Sequence, residues 1–112
     1  MKKFLVIYKA PSEEFQKLMA NSTPEEQKKG MEDWGKWMKE HSAELVDGGA
    51  PVGKTKQVTM DSVTDIKNDI GGYSIVQAES HDDAAKIFTD SPHFSVPRSS
   101  IEVMEIMPML TN

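Results

Sequence analysis

Three histidines, His41, His81 and His93, are the side chains here that can exchange a proton near neutral pH without a large perturbation. Asp90 and His93 flank Ser91-Pro92, between a short helical pattern and a strand pattern. Functional groups concentrate in such connections, and a carboxylate orients an imidazole for proton transfer. The first candidate is therefore His93 as acid/base with Asp90 as its orienting partner. The bland alternative is a helix-end Asp90 and a His93 packed near Phe94, since many such pairs are structural. His41 shares a helical stripe with Trp34, and Trp37 flanks it. That spacing predicts Trp34, Trp37 and His41 on the wall of a partly apolar pocket, with Asp90 and His93 at its rim. His41 would then assist from the helix. Equally, His41 could be a satisfied interface histidine, and the tryptophans core or dimer contacts. His81, in a first helical turn, is expected to be solvated.

Gly48-Gly49-Ala50-Pro51-Val52-Gly53-Lys54-Thr55 matches the phosphate-cradling pattern G-x-x-x-x-G-K-[ST]. That loop works only between a buried strand and a helix N-terminus, where the dipole meets the phosphate. Here a helix precedes it and a strand pattern, Lys56 to Met60, follows. The better reading is a Gly/Pro-rich turn entering a hairpin, with Lys54 binding no phosphate. The histidines show no H-x-H or H-x-x-x-H spacing, so neither a metal nor another cofactor is expected.

The elements that must position these groups follow from the pattern. Lys3 to Tyr8 is apolar on both faces, as in a central strand covered on two sides. Ser12 to Ala20 reads as a short helix with Phe15, Leu18 and Met19 inward. Thr23-Pro24-Glu25-Glu26 is a capping box with proline at the first helical position. The helix it opens is expected to run to about Glu44, with Met31, Trp34, Met38, His41 and Leu45 as its apolar stripe. Gly30 and Gly35 weaken that helix and suggest close packing. Asp47-Gly48-Gly49 should end it. Lys54 to Met60 alternates like a strand, and Asp61 to Asp69 is a polar connection. Tyr73 to Glu79 is a strand, Ser80 with Asp83 caps a short helix, and Ser91-Pro92 stops it. Ser100 to Met107 is the last strand.

The result is β-α-β-β-α-β over a single domain, residues 1–112: a ferredoxin-like α+β fold with an antiparallel sheet. Strands are expected near 2–9, 54–60, 72–79 and 100–107, with the first and third central. The helices cover one face, so a second copy packing sheet on sheet would cover the other. A charge at an exposed-looking apolar strand position such as Val76 should then weaken the dimer or the core.

Composition narrows the partners. The net charge of −5 with dispersed lysines argues against nucleic acid. There is no apolar run long enough for a membrane span, and Met1-Lys2-Lys3 leads into too short a run for a signal peptide. Zero cysteines exclude thiolate chemistry and a disulfide framework, and a cytoplasmic setting is the expectation. Eight methionines suggest an adaptable core or a greasy pocket.

The stretches KKFLVIYKAP (2–11), ELVDGGAP (44–51), GGYSIVQAES (71–80), DDAAKIF (82–88), SPHF (91–94) and SIEVMEIMP (100–108) resemble the YCII-related family, which includes DGPF-type proteins. The resemblance covers nearly the whole chain and implies the ferredoxin-like fold and a dimeric α+β barrel. Asn68-Asp69-Ile70-Gly71 stands where the DGPF tetrapeptide would be. Some members are thought to use a dyad, with histidine on the long helix and aspartate immediately before a proline. Here Ser91 precedes the proline, Asp90 is one place earlier, and Met31 to Trp34 contain no histidine. The dyad is thus not carried over to matching positions. Two functions compete: a small-molecule-binding enzyme of lyase or isomerase type with its pocket between sheet and long helix, and a noncatalytic dimeric ligand-binding or interaction module.

Overall fold

A computed structural model describes residues 1–109. Strand β1 (Lys2–Lys9) leads into helices α1 (Ser12–Asn21) and α2 (Pro24–Glu40). Strands β2 (Leu45–Pro51), β3 (Thr55–Val58), β4 (Val63–Ile66) and β5 (Ile70–Ala78) follow. Helix α3 (His81–Lys86), a 3-10 turn (Pro92–Ser95) and β6 (Ser100–Glu105) complete the chain order. Four strands form one sheet in the order β2-β5-β1-β6, antiparallel throughout. This is the expected ferredoxin-like α+β arrangement, with β1 and β5 central.

Period-two alternation decides which side of the sheet is buried. Phe4, Val6 and Tyr8 of β1 are buried, and register sets them opposite Val76, Ser74 and Gly72 of β5. The core adds Trp37 from α2 and Ala84, Ile87 and Phe88 from the α3 region. The opposite face carries Leu5, Ile7, Tyr73 and Ile75, all half-buried, with exposed Met104. Val76 is fully buried on the helix side, so a charge there tests the core. Ile75, its neighbour, faces the open side.

The sheet strand expected at 54–60 lies earlier. Leu45–Pro51, read from sequence as a helix end and turn, is the strand that pairs with β5. The Gly48-Gly49 pair is no turn; it carries the strand through two register shifts. Gly49 has φ +74°, and a Cβ there would sit 1.6 Å from the Tyr73 carbonyl oxygen. Only glycine allows that approach. Asp47 Oδ1 accepts the Gly49 N–H at 2.8 Å and holds the bend.

Residues 54–60 do contain a strand, β3, but it pairs with β4 in a separate hairpin. The stretch read as a polar connection, 61–69, supplies β4. No helix follows Thr55, so the context a phosphate loop requires is missing there.

Helix α2 begins as expected: Thr23 Oγ1 accepts the Glu26 N–H, and Glu26 Oε1 accepts the Thr23 N–H. It ends four residues before Glu44, because Leu45 is claimed by the sheet opposite Val76. The Ala43 carbonyl accepts from Gln77 Nε2 and the Glu44 carbonyl from the Gln77 N–H. Its inward side carries buried Trp37 and half-buried Trp34, continued by half-buried His41 at the C-cap; Met31 and Met38 are exposed. Gly30 and Gly35 have open space around them and serve no close packing. Helix α1 buries no residue, and Phe15 and Met19 are exposed. Arg98 donates to Glu14 Oε1 and ties α1 to the loop before β6. Among the described residues, no helix is long and apolar enough to cross a membrane.

Candidate functional site

A row of rings runs between the sheet and α2, with a histidine at each end. His93 meets the Tyr8 ring at 5.4 Å, Tyr8 meets Trp34 at 5.4 Å, Trp34 meets Trp37 at 6.0 Å, and Trp37 meets His41 at 4.7 Å between centroids. Phe88 packs beside Tyr8 and Trp37 at 6.1 and 5.3 Å. Edge-to-face and tilted contacts of this kind stabilise beyond area burial alone. Helical periodicity presents Trp34, Trp37 and His41 on one side of α2. Strand alternation points Tyr8 inward, and the 3-10 turn delivers His93.

Asp90 and His93 do not pair. Ser91 Oγ accepts the His93 N–H at 3.2 Å and starts the 3-10 turn, which rotates the His93 ring toward β1. His93 Nε2 lies 2.8 Å from the Lys9 carbonyl. A carbonyl only accepts, so Nε2 carries the proton and Nδ1 is the open lone pair of the neutral ring. The orienting group of His93 is thus a backbone carbonyl, not the expected carboxylate.

Asp90 turns instead to α2. Its Oδ1 accepts the Trp37 indole N–H at 3.3 Å and stands 4.0 Å from His41 Nε2. The His41 side chain is 22% exposed and that of Asp90 69% exposed, so the pair sits at the surface with Trp37 behind it. The fold joins a helix histidine to a carboxylate near the proline, though neither occupies the position expected from the family pattern. Trp37 is a core residue and Trp34 is half-buried. His81 is exposed but anchored: Nε2 lies 2.7 Å from the Val103 carbonyl and its ring rests 5.2 Å from Phe4.

Tyr8 and Ser74 were not among the sequence candidates. The Tyr8 hydroxyl lies 2.9 Å from Ser74 Oγ, which donates to the Gly48 carbonyl at 3.0 Å. Ser74 spends its proton on that carbonyl, so Tyr8 donates to Ser74. Burial pushes the Tyr8 phenol above its usual pKa. It therefore stays protonated at neutral pH and serves as no base. The available signal was a serine mid-strand in β5, which needs a partner once buried.

Two clefts, of about 440 and 430 Å³, lie at the open face and its end. Neither is lined by α2, where the sequence placed the pocket. Among the described residues, no group of three or more His, Cys, Asp or Glu side chains converges to hold a metal.

Sheet order, helix placement and the ring row define a ferredoxin-like α+β protein in which a histidine capping the long helix lies 4.0 Å from a carboxylate of the loop after α3. The chain belongs to the YCII-related family: the profile of the YCII-related domain matches residues 1–110. A solved structure with the same fold is 5-chloro-2-hydroxyhydroquinone dehydrochlorinase from Burkholderia phenoliruptrix, in complex with 2,5-dihydroxybenzoquinone. The TM-score is 0.52 at 18% identity, covering 89% of this chain and 90% of that one. No curated protein matches the sequence.

Proposed function

We propose that this protein binds a small molecule at the surface, over the His41–Asp90 pair at the C-terminal end of α2, and acts on it by acid–base chemistry of lyase or isomerase type. The observation that carries the reading is Asp90 Oδ1, hydrogen-bonded by Trp37 and 4.0 Å from His41 Nε2. The indole N–H fixes the carboxylate. His41 takes a proton from the substrate, and the imidazolium formed gains the carboxylate's attraction. Trp37, itself buried, ties the surface carboxylate to the core and packs against the His41 ring. The solved relative's complex with a dihydroxybenzoquinone makes small oxygenated rings the first substrate class to try.

Tryptophan fluorescence tests this, because both tryptophans lie in the ring row. Saturable quenching by a hydroxylated aromatic or quinone, followed by turnover, is the expected result. His41→Gln and Asp90→Asn should retain binding and lose roughly 10²- to 10⁴-fold in rate, the usual worth of general acid–base catalysis. Unchanged turnover in both variants would refute the assignment. Saturable binding without turnover in the native chain would support the second reading, a noncatalytic ligand-binding or interaction module.

The open sheet face supports the rest of the proposal, a homodimer closed sheet on sheet into an α+β barrel. Leu5, Ile7, Ile75 and Met104 form an apolar surface there that, among the described residues, no helix covers. A cytoplasmic setting, without nucleic-acid or membrane partners, belongs to the same reading.

A further inference from the structure

The β3–β4 hairpin stands apart from the sheet, and its end is apolar. Val58 and Val63 face each other across the ladder, 73% and 62% exposed, and Met60 beyond them is 103% exposed. Among the described residues, the only partner of each strand is the other. A lone two-stranded ribbon is marginal in water, and an apolar cluster at its end marks an interaction site. The molecule is correspondingly extended. Its radius of gyration is 15.9 Å, against about 13 Å for a compact domain of this length.

The cleft of about 440 Å³ on the open face is a matching receptor. Ile7, Ile70 and Met104 give it apolar walls, and the Lys9–Glu102 ion pair and Lys67 lie on its rim. The chain's own hairpin cannot enter. β4 ends at Ile66, and Lys67, the next residue, already lines the cleft. The tip would have to fold back onto its own root, so the occupant comes from another molecule. Charge selects it further. Asp61 sits beside Met60 at the tip, and among the described residues neither Asp61 nor Lys67 takes part in an ion pair.

We infer that the hairpin is an exchanged arm: Val58, Met60 and Val63 of one copy fill the Ile7–Ile70–Met104 cleft of a second copy, and Asp61 pairs with the second copy's Lys67. A two-fold dimer makes the exchange reciprocal, two tips in two clefts. The inference rests on the sheet-face dimer proposed above, since the receiving cleft lies on that face, and it adds the element that fixes how the copies align.

The absence of cysteine allows a clean test. Chains carrying Met60→Cys and Met104→Cys, distinguished by a tag, are mixed and oxidised under native conditions. A disulfide forms only when the two Cα atoms come within about 7 Å. A reducible covalent heterodimer is expected from this mixture. It is not expected when Met60→Cys is mixed with Met31→Cys, on the exposed side of α2. Sedimentation of the native chain and of Met60→Glu, folded by circular dichroism, completes the test, with the dissociation constant raised at least roughly tenfold in the variant. A dimer that gives no more Met60–Met104 cross-link than the Met31 control, or is unmoved by Met60→Glu, overturns the arm and leaves the sheet-face dimer standing. A native chain that sediments as a monomer overturns both.

Discussion

Tyr8 shows how one side chain joins the strand to the site. Its ring touches Trp34, Phe88 and His93, while its hydroxyl reaches Ser74 and, through it, the bulged strand β2. Tyr8→Phe should cost about 1 kcal/mol, the net worth of one hydrogen bond whose partner keeps another. Its pH dependence is more diagnostic. The folded phenol titrates above the ordinary value of 10.0, so the unfolded chain loses its proton first as pH rises. Stability present below pH 10 therefore declines above it. Denaturant titrations should show a shallower alkaline decline in Tyr8→Phe than in the native chain; equal slopes would refute the shift. The sequence named Trp34, Trp37, His41, Asp90 and His93, and all five lie along or beside the ring row. It paired the wrong two, because closeness in sequence favoured His93 for Asp90. A proline turn sends neighbouring side chains different ways, and the donor for Asp90 lies on α2, far along the chain.

Elements with strong local signals were legible: the capping box of α2, the alternation of β1, the Ser80 cap of α3. Strand β2 was not, because Gly48-Gly49 and Pro51 carry turn propensity that pairing with β5 overrides. Its bulge is also the best place to break the sheet. Gly49→Ala would set a methyl group against the Tyr73 carbonyl and force a left-handed backbone on a residue with a Cβ. A loss of at least about 2 kcal/mol in chemical denaturation is expected, whereas Gly30→Ala, in open helical space, should be neutral or stabilising. Little difference between the two would mean that the bulge is not as tight as described. Helix α1 was read correctly in extent but not in burial: Phe15 and Met19 are exposed and Leu18 is only half-buried.

On the scale of the molecule, one face of the sheet is finished and the other is not. The sequence suggested this, since β1 and β5 are apolar on both sides while the helices cover one. Ile75→Lys places a charge on the open face without entering the core. Sedimentation should show the proposed dimer weakened by roughly tenfold or more, with secondary structure unchanged; association of native strength would place the interface elsewhere. The hairpin was the least legible feature, because its strands are short and pair only with each other. The proposed acid–base chemistry depends on which histidine Asp90 serves. Nitrogen-15 NMR of the imidazole rings and tryptophan indoles, in the native chain and in Asp90→Asn, reads this directly. The structure predicts that the Trp37 indole and His41 ring signals move, while His93 keeps its proton on Nε2 against the Lys9 carbonyl. Movement of the His93 signals with those of His41 and Trp37 unchanged would contradict it.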